Sequence, residues 1–312
     1  MNKVILIVGP TASGKTGIST GLALHTGSEI INADSMQIYS EMIIGTARPT
    51  EEEQRGIPHH LFGFVRPDSP YNVSIYQKDA FSIIDSLHEK EIVPIVVGGT
   101  GLYINSLIYK LDFSSESDTE LRRELEDIYD SENGPERLFE KLRDLDPESA
   151  SRIHINDRKR VIRRLEILST HNDSTYNFYP DKNDYDLLII GITKNRDHLY
   201  RDIEKRIDIM MAEGLEKEAR YLYETYGRDI NAFAAIGYKE FIPYFEGKVS
   251  LGSVVDDIKK NTRHLAKRQM TWFRKNPDII WFNTDEYDSH DALMKSVLKI
   301  TKEFLNGDMQ NE

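Results

Sequence analysis

The stretch GPTASGKT at residues 9–16 follows the apolar run KVILIV and fits G-x-x-x-x-G-K-[ST] at every fixed position: Gly9, Gly14, Lys15 and Thr16. A buried strand that turns through such a loop into a helix is built to hold a phosphate. Across Gly9, Pro10, Thr11, Ala12, Ser13, Gly14, Lys15 and Thr16, backbone N–H groups can face phosphate oxygens, and the helix start adds partial positive charge. Lys15 supplies a full charge, and the Thr16 hydroxyl is the expected Mg²⁺ ligand. The loop does not say which phosphate it holds, or whether that molecule is split, passed on or only sensed.

Nucleotide hydrolysis finds little support elsewhere in the chain. A guanine-reading Asn/Thr-Lys-x-Asp string is missing, and its nearest match, Thr193-Lys194-Asn195-Arg196, lacks the aspartate. A strand-end acid that would help hold Mg²⁺ is also scarce. IVPIVV (92–97) runs into Gly98 and DLLIIG (186–191) into Ile192, whereas EIINAD (29–34) alone ends in a carboxylate, Asp34. Taken by itself, Asp34 is equally a helix N-cap.

The five apolar runs at 3–8, 29–34, 92–97, 186–191 and 278–283 suit strands covered on both faces. Placed between helical patterns, they predict a doubly covered parallel α/β sheet. Residues 113–183 carry no strand signal and consist of charged amphipathic helices followed by a polar link at 171–184. They are expected to form a helical insertion domain within a core made of 1–112 and 184–312, and the link is expected to let the insertion move. Further helices are predicted near 196–224, 236–246 and 250–275.

Composition limits the setting. The chain has 312 residues, no cysteine, and 39% hydrophobic and 29% charged residues, which fits an ordinary globular protein. Its longest early apolar run stops at Gly9-Pro10, so neither a signal peptide nor a membrane span is expected, and the cytoplasm is the default location. The net charge of −12 argues against a nucleic-acid partner until its distribution is seen. Segments 152–164 and 258–275 hold 13 of the 40 Lys/Arg residues and a single acid, Asp157. On a helical wheel Arg160, Arg163 and Arg164 share one face of the first. Arg263, Lys267 and Arg274 share one face of the second, opposite Ile258, Leu265 and Trp272. Two basic faces on an acidic body suggest a polyanion. Trp272 and Phe273 are expected in the core, and His59-His60 has no partner spacing that suggests a metal.

GPTASGKT, NADSMQIY (32–39), GTARPT (45–50), PHHL (58–61), VGGTGLY (97–103), NDRKRVIRRLE (156–166), AIGYKE (235–240) and AKRQMTWFR (266–274) occur in this order over nearly the whole chain. Together they resemble the bacterial tRNA dimethylallyltransferase family. The resemblance implies a P-loop, nucleotide-kinase-like core, with the loop holding the diphosphate of dimethylallyl diphosphate. It implies transfer of the prenyl group to N6 of the adenosine 3′ of the anticodon in tRNA. Asp34 would be the general base, and Lys15, Thr16 through Mg²⁺, and Arg206 would stabilise the leaving diphosphate. Ser35, Met36 and Gln37 would contact the target nucleotide, with Gln37 reading an adenine edge by paired hydrogen bonds. Thr100, Gly101, Gly237, Tyr238 and Lys239 match positions near the tRNA, and Arg123, Lys159, Arg160, Arg163, Lys267, Arg268 and Arg274 would contact its anticodon stem-loop. Lys159 and Ile162 depart from common family residues, which leaves single contacts open. The protein is expected to act as a monomer. A P-loop small-molecule kinase, a prenyltransferase for free adenine nucleotides and a nucleotide-sensing RNA-binding protein are the competing readings.

Overall fold

The computed structural model describes residues 2–111, 113, 119–170 and 181–308. The polar link expected at 171–184 falls outside them except for its last four residues. The chain divides into two compact units, one of Met1–Tyr109 with Asn183–Glu312 and the other of Lys110–Lys182.

In the first unit the elements run β1 (Lys3–Val8), α1 (Lys15–Thr26), β2 (Ile30–Asn32), α2 (Glu51–Gln54), β3 (His59–His60), α3 (Val73–Glu89), β4 (Ile95–Gly98) and α4 (Gly101–Ile108). The second unit supplies α5 (Thr119–Tyr129), α6 (Gly134–Leu145), α7 (Pro147–Arg152) and α8 (Arg158–Thr170). The first unit resumes with β5 (Asp186–Thr193), α9 (Arg196–Glu213), α10 (Leu215–Tyr226), α11 (Ile242–Phe245), α12 (Leu251–Phe273), β6 (Ile279–Asn283) and α13 (His290–Asn306). Six parallel strands form one sheet in the order β3-β2-β4-β1-β5-β6.

The apolar runs produce this arrangement because every residue of β1 after Lys3 is buried, which a strand permits only with a layer on each face. Ile18 and Leu22 of α1 and Val297 of α13 cover one face, with Ile5 and Ile7. Tyr76 and Ile84 of α3 and Ile104 of α4 cover the other, with Leu6 and Val8. A third cluster joins α9, α10 and α12 to Ile38, Tyr39 and Met42, the residues just after β2. The carboxyl ends of β1, β2 and β4 therefore open side by side, the usual place for a ligand in an open parallel sheet.

Two expected elements differ and one strand is unexpected. The helix predicted over 196–224 is two helices, because Gly214 adopts φ 107° and its N–H caps Met210 and Met211, ending the first one. The helix predicted over 236–246 is a 3₁₀ turn at Lys239–Phe241 followed by the single turn α11. The two-residue β3 is too short to show a period in the sequence; it pairs with Ile30 and Ile31 of β2.

The second unit packs Leu125, Leu138, Leu142, Val161, Ile162 and Leu165 into its own core. Here Arg164 corrects the helical-wheel reading. It is 5% exposed, and its Nε donates to Asp146 Oδ2 at 2.6 Å. Asp146 also caps α7 by accepting the Ser149 N–H at 2.9 Å, so a carboxylate from another segment draws this cation inward. Arg164 therefore belongs to the core of its unit and not to an outward basic face.

Candidate active site

Lys15 opens α1 and its ammonium donates to the Pro10 carbonyl at 2.7 Å, folding the side chain over its own loop. Burial lowers its pKa to about 8, Asp34 opposes that shift, and the charge of Arg206 adds to it. Arg206, on α9, is itself withdrawn from water, and burial lowers its pKa against the pull of Glu53 and Asp202. Among the described residues no carboxylate lies within ion-pair distance of Arg206. Two partly buried cations that feel one another are costly unless an anion sits between them. The loop contributes one more polar group, the buried Ser13 hydroxyl, which has no partner among the described residues.

Asp34 stands two residues past β2, where Asn32 fixes its backbone. The Asn32 Oδ1 accepts the Asp34 N–H at 2.8 Å, and the Asn32 Nδ2 donates to the carbonyls of Asp34 and Leu61, both at 2.9 Å. Burial pushes the Asp34 carboxyl above the usual aspartate range, opposed by the N–H groups of Met36 and Gln37 and by Lys15. Its Oδ1 accepts the Met36 N–H at 2.9 Å, so the N-cap alternative is met only by a local turn and not by a helix. The result is a partly desolvated carboxylate beside a phosphate loop.

Thr100 joins the next loop to this one. Its Oγ1 accepts the Ser35 N–H at 2.9 Å and donates to Ser35 Oγ at 3.3 Å. Gly101 follows, where a Cβ would stand 2.4 Å from Trp272 Cδ1, so the indole lies against this glycine. Ser35, Thr100 and Gly101 are thus brought to the Asp34 side.

Other expected contacts are corrected. The Gln37 amide nitrogen donates to the carbonyls of Thr46 at 3.0 Å and Ala47 at 3.1 Å, so it braces the following loop and has no free donor for an adenine edge. The Thr11 N–H donates to Gln269 Oε1 at 2.9 Å and is not free for a phosphate. Tyr238 is fully buried, and its hydroxyl donates to Glu218 Oε1 at 2.6 Å; Gly237 is buried too. Both pack inside the turn, whereas Lys239 is exposed. His60 pairs with Glu29 at 2.6 Å and His59 with the Ile57 carbonyl at 2.8 Å. No metal-holding group of three His, Cys, Asp or Glu side chains occurs among the described residues.

The basic segments sort by pairing. On α12, Lys259 meets Asp208 and Arg263 meets Glu204, each at 2.6 Å, so Arg263 drops out of the expected free cationic face. Lys267, Arg268 and Arg274 are exposed, and no carboxylate pairs with them among the described residues. Trp272 is 37% exposed, against the expectation of a core residue, while Phe273 is 2% exposed. In the second unit Arg123, Lys159 and Arg160 are exposed, Arg160 lying 3.4 Å from Asp157, and Arg163 pairs with the fully buried Glu166 at 3.0 Å.

Two positioning groups escaped the sequence. Gln269 bridges Thr11 and the Gly99 carbonyl, the latter at 3.0 Å. Glu218 accepts the N–H groups of Ile43, Ile44 and Gly45 at 2.9–3.1 Å. Both act across 170 or more residues of sequence, and no local pattern announces such a contact.

With this geometry in place, the comparisons with known proteins decide the family. The IPP transferase family model matches residues 37–276, and the isopentenyl transferase model matches residues 2–61. The chain belongs to the IPP transferase family. Among its relatives, the tRNA dimethylallyltransferase of Alkaliphilus oremlandii is 46% identical over 309 residues, covering 97% of this chain and 98% of the relative. That of Acetivibrio thermocellus is 45% identical over 306 residues, covering 95% and 96%. The crystal structure of a tRNA isopentenylpyrophosphate transferase from Bacillus halodurans is 40% identical with a TM-score of 0.74, each chain covered to 98%. A eukaryotic dimethylallyltransferase, crystallised acting on tRNA, is 29% identical with a TM-score of 0.87, covering all of this chain and 81% of that one. Within this IPP transferase the phosphate loop, Asp34 and Thr100 occupy adjoining strand ends. No helix among the described residues is long and apolar enough to cross a membrane.

Proposed function

We propose that this chain transfers the dimethylallyl group of dimethylallyl diphosphate to N6 of the adenosine 3′ of the anticodon in tRNA, releasing diphosphate. The observation that carries the reading is Lys15, which is folded over its loop onto the Pro10 carbonyl and feels the Asp34 carboxylate on one hand and the Arg206 cation on the other. The desolvated carboxylate of Asp34 suits a proton, and the two desolvated cations suit a polyanion.

The adenine N6 is a weak nucleophile because its lone pair is delocalised into the ring. As N6 attacks the allylic C1, the C1–O bond to diphosphate breaks and the N6 proton passes to Asp34. A positioned base of this kind is usually worth about 10² to 10⁴ in rate. Burial suits the role, since a carboxylate stripped of water accepts a proton more readily. Lys15 and Arg206 meet the charge that grows on the leaving diphosphate. The donor set fits Mg²⁺ only in part: Thr16 offers one hydroxyl, and no acidic cage accompanies it among the described residues. That is the pattern of an ion held chiefly by substrate phosphate oxygens, and Mg²⁺ held there would neutralise the leaving charge. The unpaired cations Lys267, Arg268 and Arg274, with Arg123, Lys159 and Arg160 of the second unit, would hold the stem-loop phosphates of a tRNA bound by a cytoplasmic monomer.

The test incubates the protein with dimethylallyl diphosphate, Mg²⁺ and an unmodified tRNA bearing A beside the anticodon, with AMP and ATP tested separately. Prenylated tRNA is the expected product. Transfer to AMP alone would support a free-nucleotide prenyltransferase, and ATP turnover without transfer would support a kinase; either would overturn the proposal.

A further inference from the structure

One face of α12 and the turn after it carries His264, Lys267, Arg268, Thr271, Trp272 and Lys275, which together line a surface depression. Their spacing of three and four residues puts them on a single stripe. Trp272 is the aromatic among them. Its indole edge rests on Gly101, which leaves no room for a side chain there, yet 37% of the residue faces solvent. The indole N–H has no acceptor among the described residues. A large aromatic lying against a backbone, partly open to solvent beside unpaired cations, is poorly explained by packing. Gly101 follows Thr100, whose hydroxyl is bonded to Ser35 next to Asp34. The ring therefore lies on the acceptor side of the reaction, not inside the phosphate loop.

The two ends of α12 behave differently. Lys259 and Arg263 are neutralised by Asp208 and Glu204, whereas Lys267, Arg268 and Lys275, which surround Trp272, meet no carboxylate among the described residues. On a chain with net charge −12, cations without partners beside an open aromatic face match the two chemistries of a nucleotide, a base to stack and a phosphate to pair.

We propose that Trp272 is a stacking subsite for one anticodon-loop nucleobase flanking the adenosine that reacts, with Lys267, Arg268 and Lys275 holding the adjoining phosphates. The subsite rests on the tRNA-prenylation reading and deepens it. An adenosine drawn out of the loop leaves a neighbour unstacked, and an indole face replaces the lost stacking. Stacking tolerates every base, so the subsite sets which nucleotide is displaced more than which sequence is read.

The experiment pairs protein and RNA changes. Unmodified anticodon stem-loops, intact or with one abasic site at each loop position in turn, are given to the wild type, Trp272→Phe and Trp272→Leu. On intact RNA, Trp272→Leu is expected to raise KM for RNA by about 5- to 100-fold with the KM for dimethylallyl diphosphate unchanged, and Trp272→Phe by far less. The loss should vanish on the RNA abasic at one loop position beside the target. A second arm leaves Trp272 in place. In Trp281→Phe, which retains Trp272 as its single tryptophan, intact stem-loop should quench the fluorescence and the same abasic RNA should not. A loss that persists on every abasic RNA, no loss in Trp272→Leu, or no quenching would overturn the subsite. Failure of the prenylation reading would instead show as binding and quenching without product in the wild type.

Discussion

Gln269 accepts the Thr11 N–H at 2.9 Å and, through the other end of the same amide, donates to the Gly99 carbonyl at 3.0 Å. A single side chain of α12 thus ties the phosphate loop to the turn that carries Thr100. Gln269→Leu removes both bonds, at about 0.5 to 1.5 kcal/mol each, and is expected to lower kcat/KM for dimethylallyl diphosphate by about tenfold. Gln269→Glu keeps the acceptor for Thr11 but sets an oxygen against Gly99, so it should not restore activity. Steady-state kinetics at varied dimethylallyl diphosphate check this, and a wild-type value for either variant would contradict it.

Glu218 gathers three backbone N–H groups, of Ile43, Ile44 and Gly45, together with the Tyr238 hydroxyl. Bonds to a charged acceptor are the stronger kind, and removing it strands the buried Tyr238 hydroxyl and the part-buried N–H groups of Ile44 and Gly45. Glu218→Ala is expected to destabilise the protein by about 2 to 4 kcal/mol. Urea unfolding reads this directly. Tyr238→Phe, which removes one donor and leaves the rest, should cost about 1 kcal/mol.

The pH dependence of kcat/KM follows from two groups of the free enzyme. Lys15 must be protonated to meet diphosphate, and burial holds its pKa near about 8, so the value should fall as pH rises through about 8. Lys15→Arg, charged throughout, should lower kcat/KM and remove that limb. Asp34 must be ionised, and burial raises its pKa, so the acid limb should lie above the pH at which an exposed aspartate titrates. A profile flat through about pH 8 in the wild type would contradict the assignment of Lys15.

Salt dependence separates free from paired cations on α12. Lys267→Gln and Arg268→Gln should each reduce the slope of log affinity against log salt by about 1. Arg263→Gln, whose guanidinium is already held by Glu204 at 2.6 Å, should leave that slope unchanged. Titration of anticodon stem-loop at several salt concentrations distinguishes them, and equal changes in all three would show that pairing does not decide the contact.

Features that depend on short-range chemistry were legible in the sequence. The glycine loop after β1, Asp34 just past a strand, Thr100 after two glycines and the helices of 119–170 are all written in contiguous residues. What failed depended on neighbours from elsewhere in the chain. A helical wheel gives the direction of Arg164 but cannot know that Asp146 waits there. Gln37 has the right groups for adenine, yet the carbonyls of Thr46 and Ala47 claim its donor. Trp272 has a core composition and an exposed location because Gly101 lets the indole rest on backbone. Tyr238 sits in a polar motif but is buried by Glu218 and Gly45.

The central claim is that Asp34 takes the proton while the phosphate loop holds the leaving group. Single-turnover transfer from dimethylallyl diphosphate to unmodified tRNA by Asp34→Asn, with inorganic diphosphate affinity measured on the same protein, tests it most directly. The expected result is a rate loss of about 10² to 10⁴ with diphosphate affinity retained. Transfer at the wild-type rate by a variant that still binds diphosphate would contradict it.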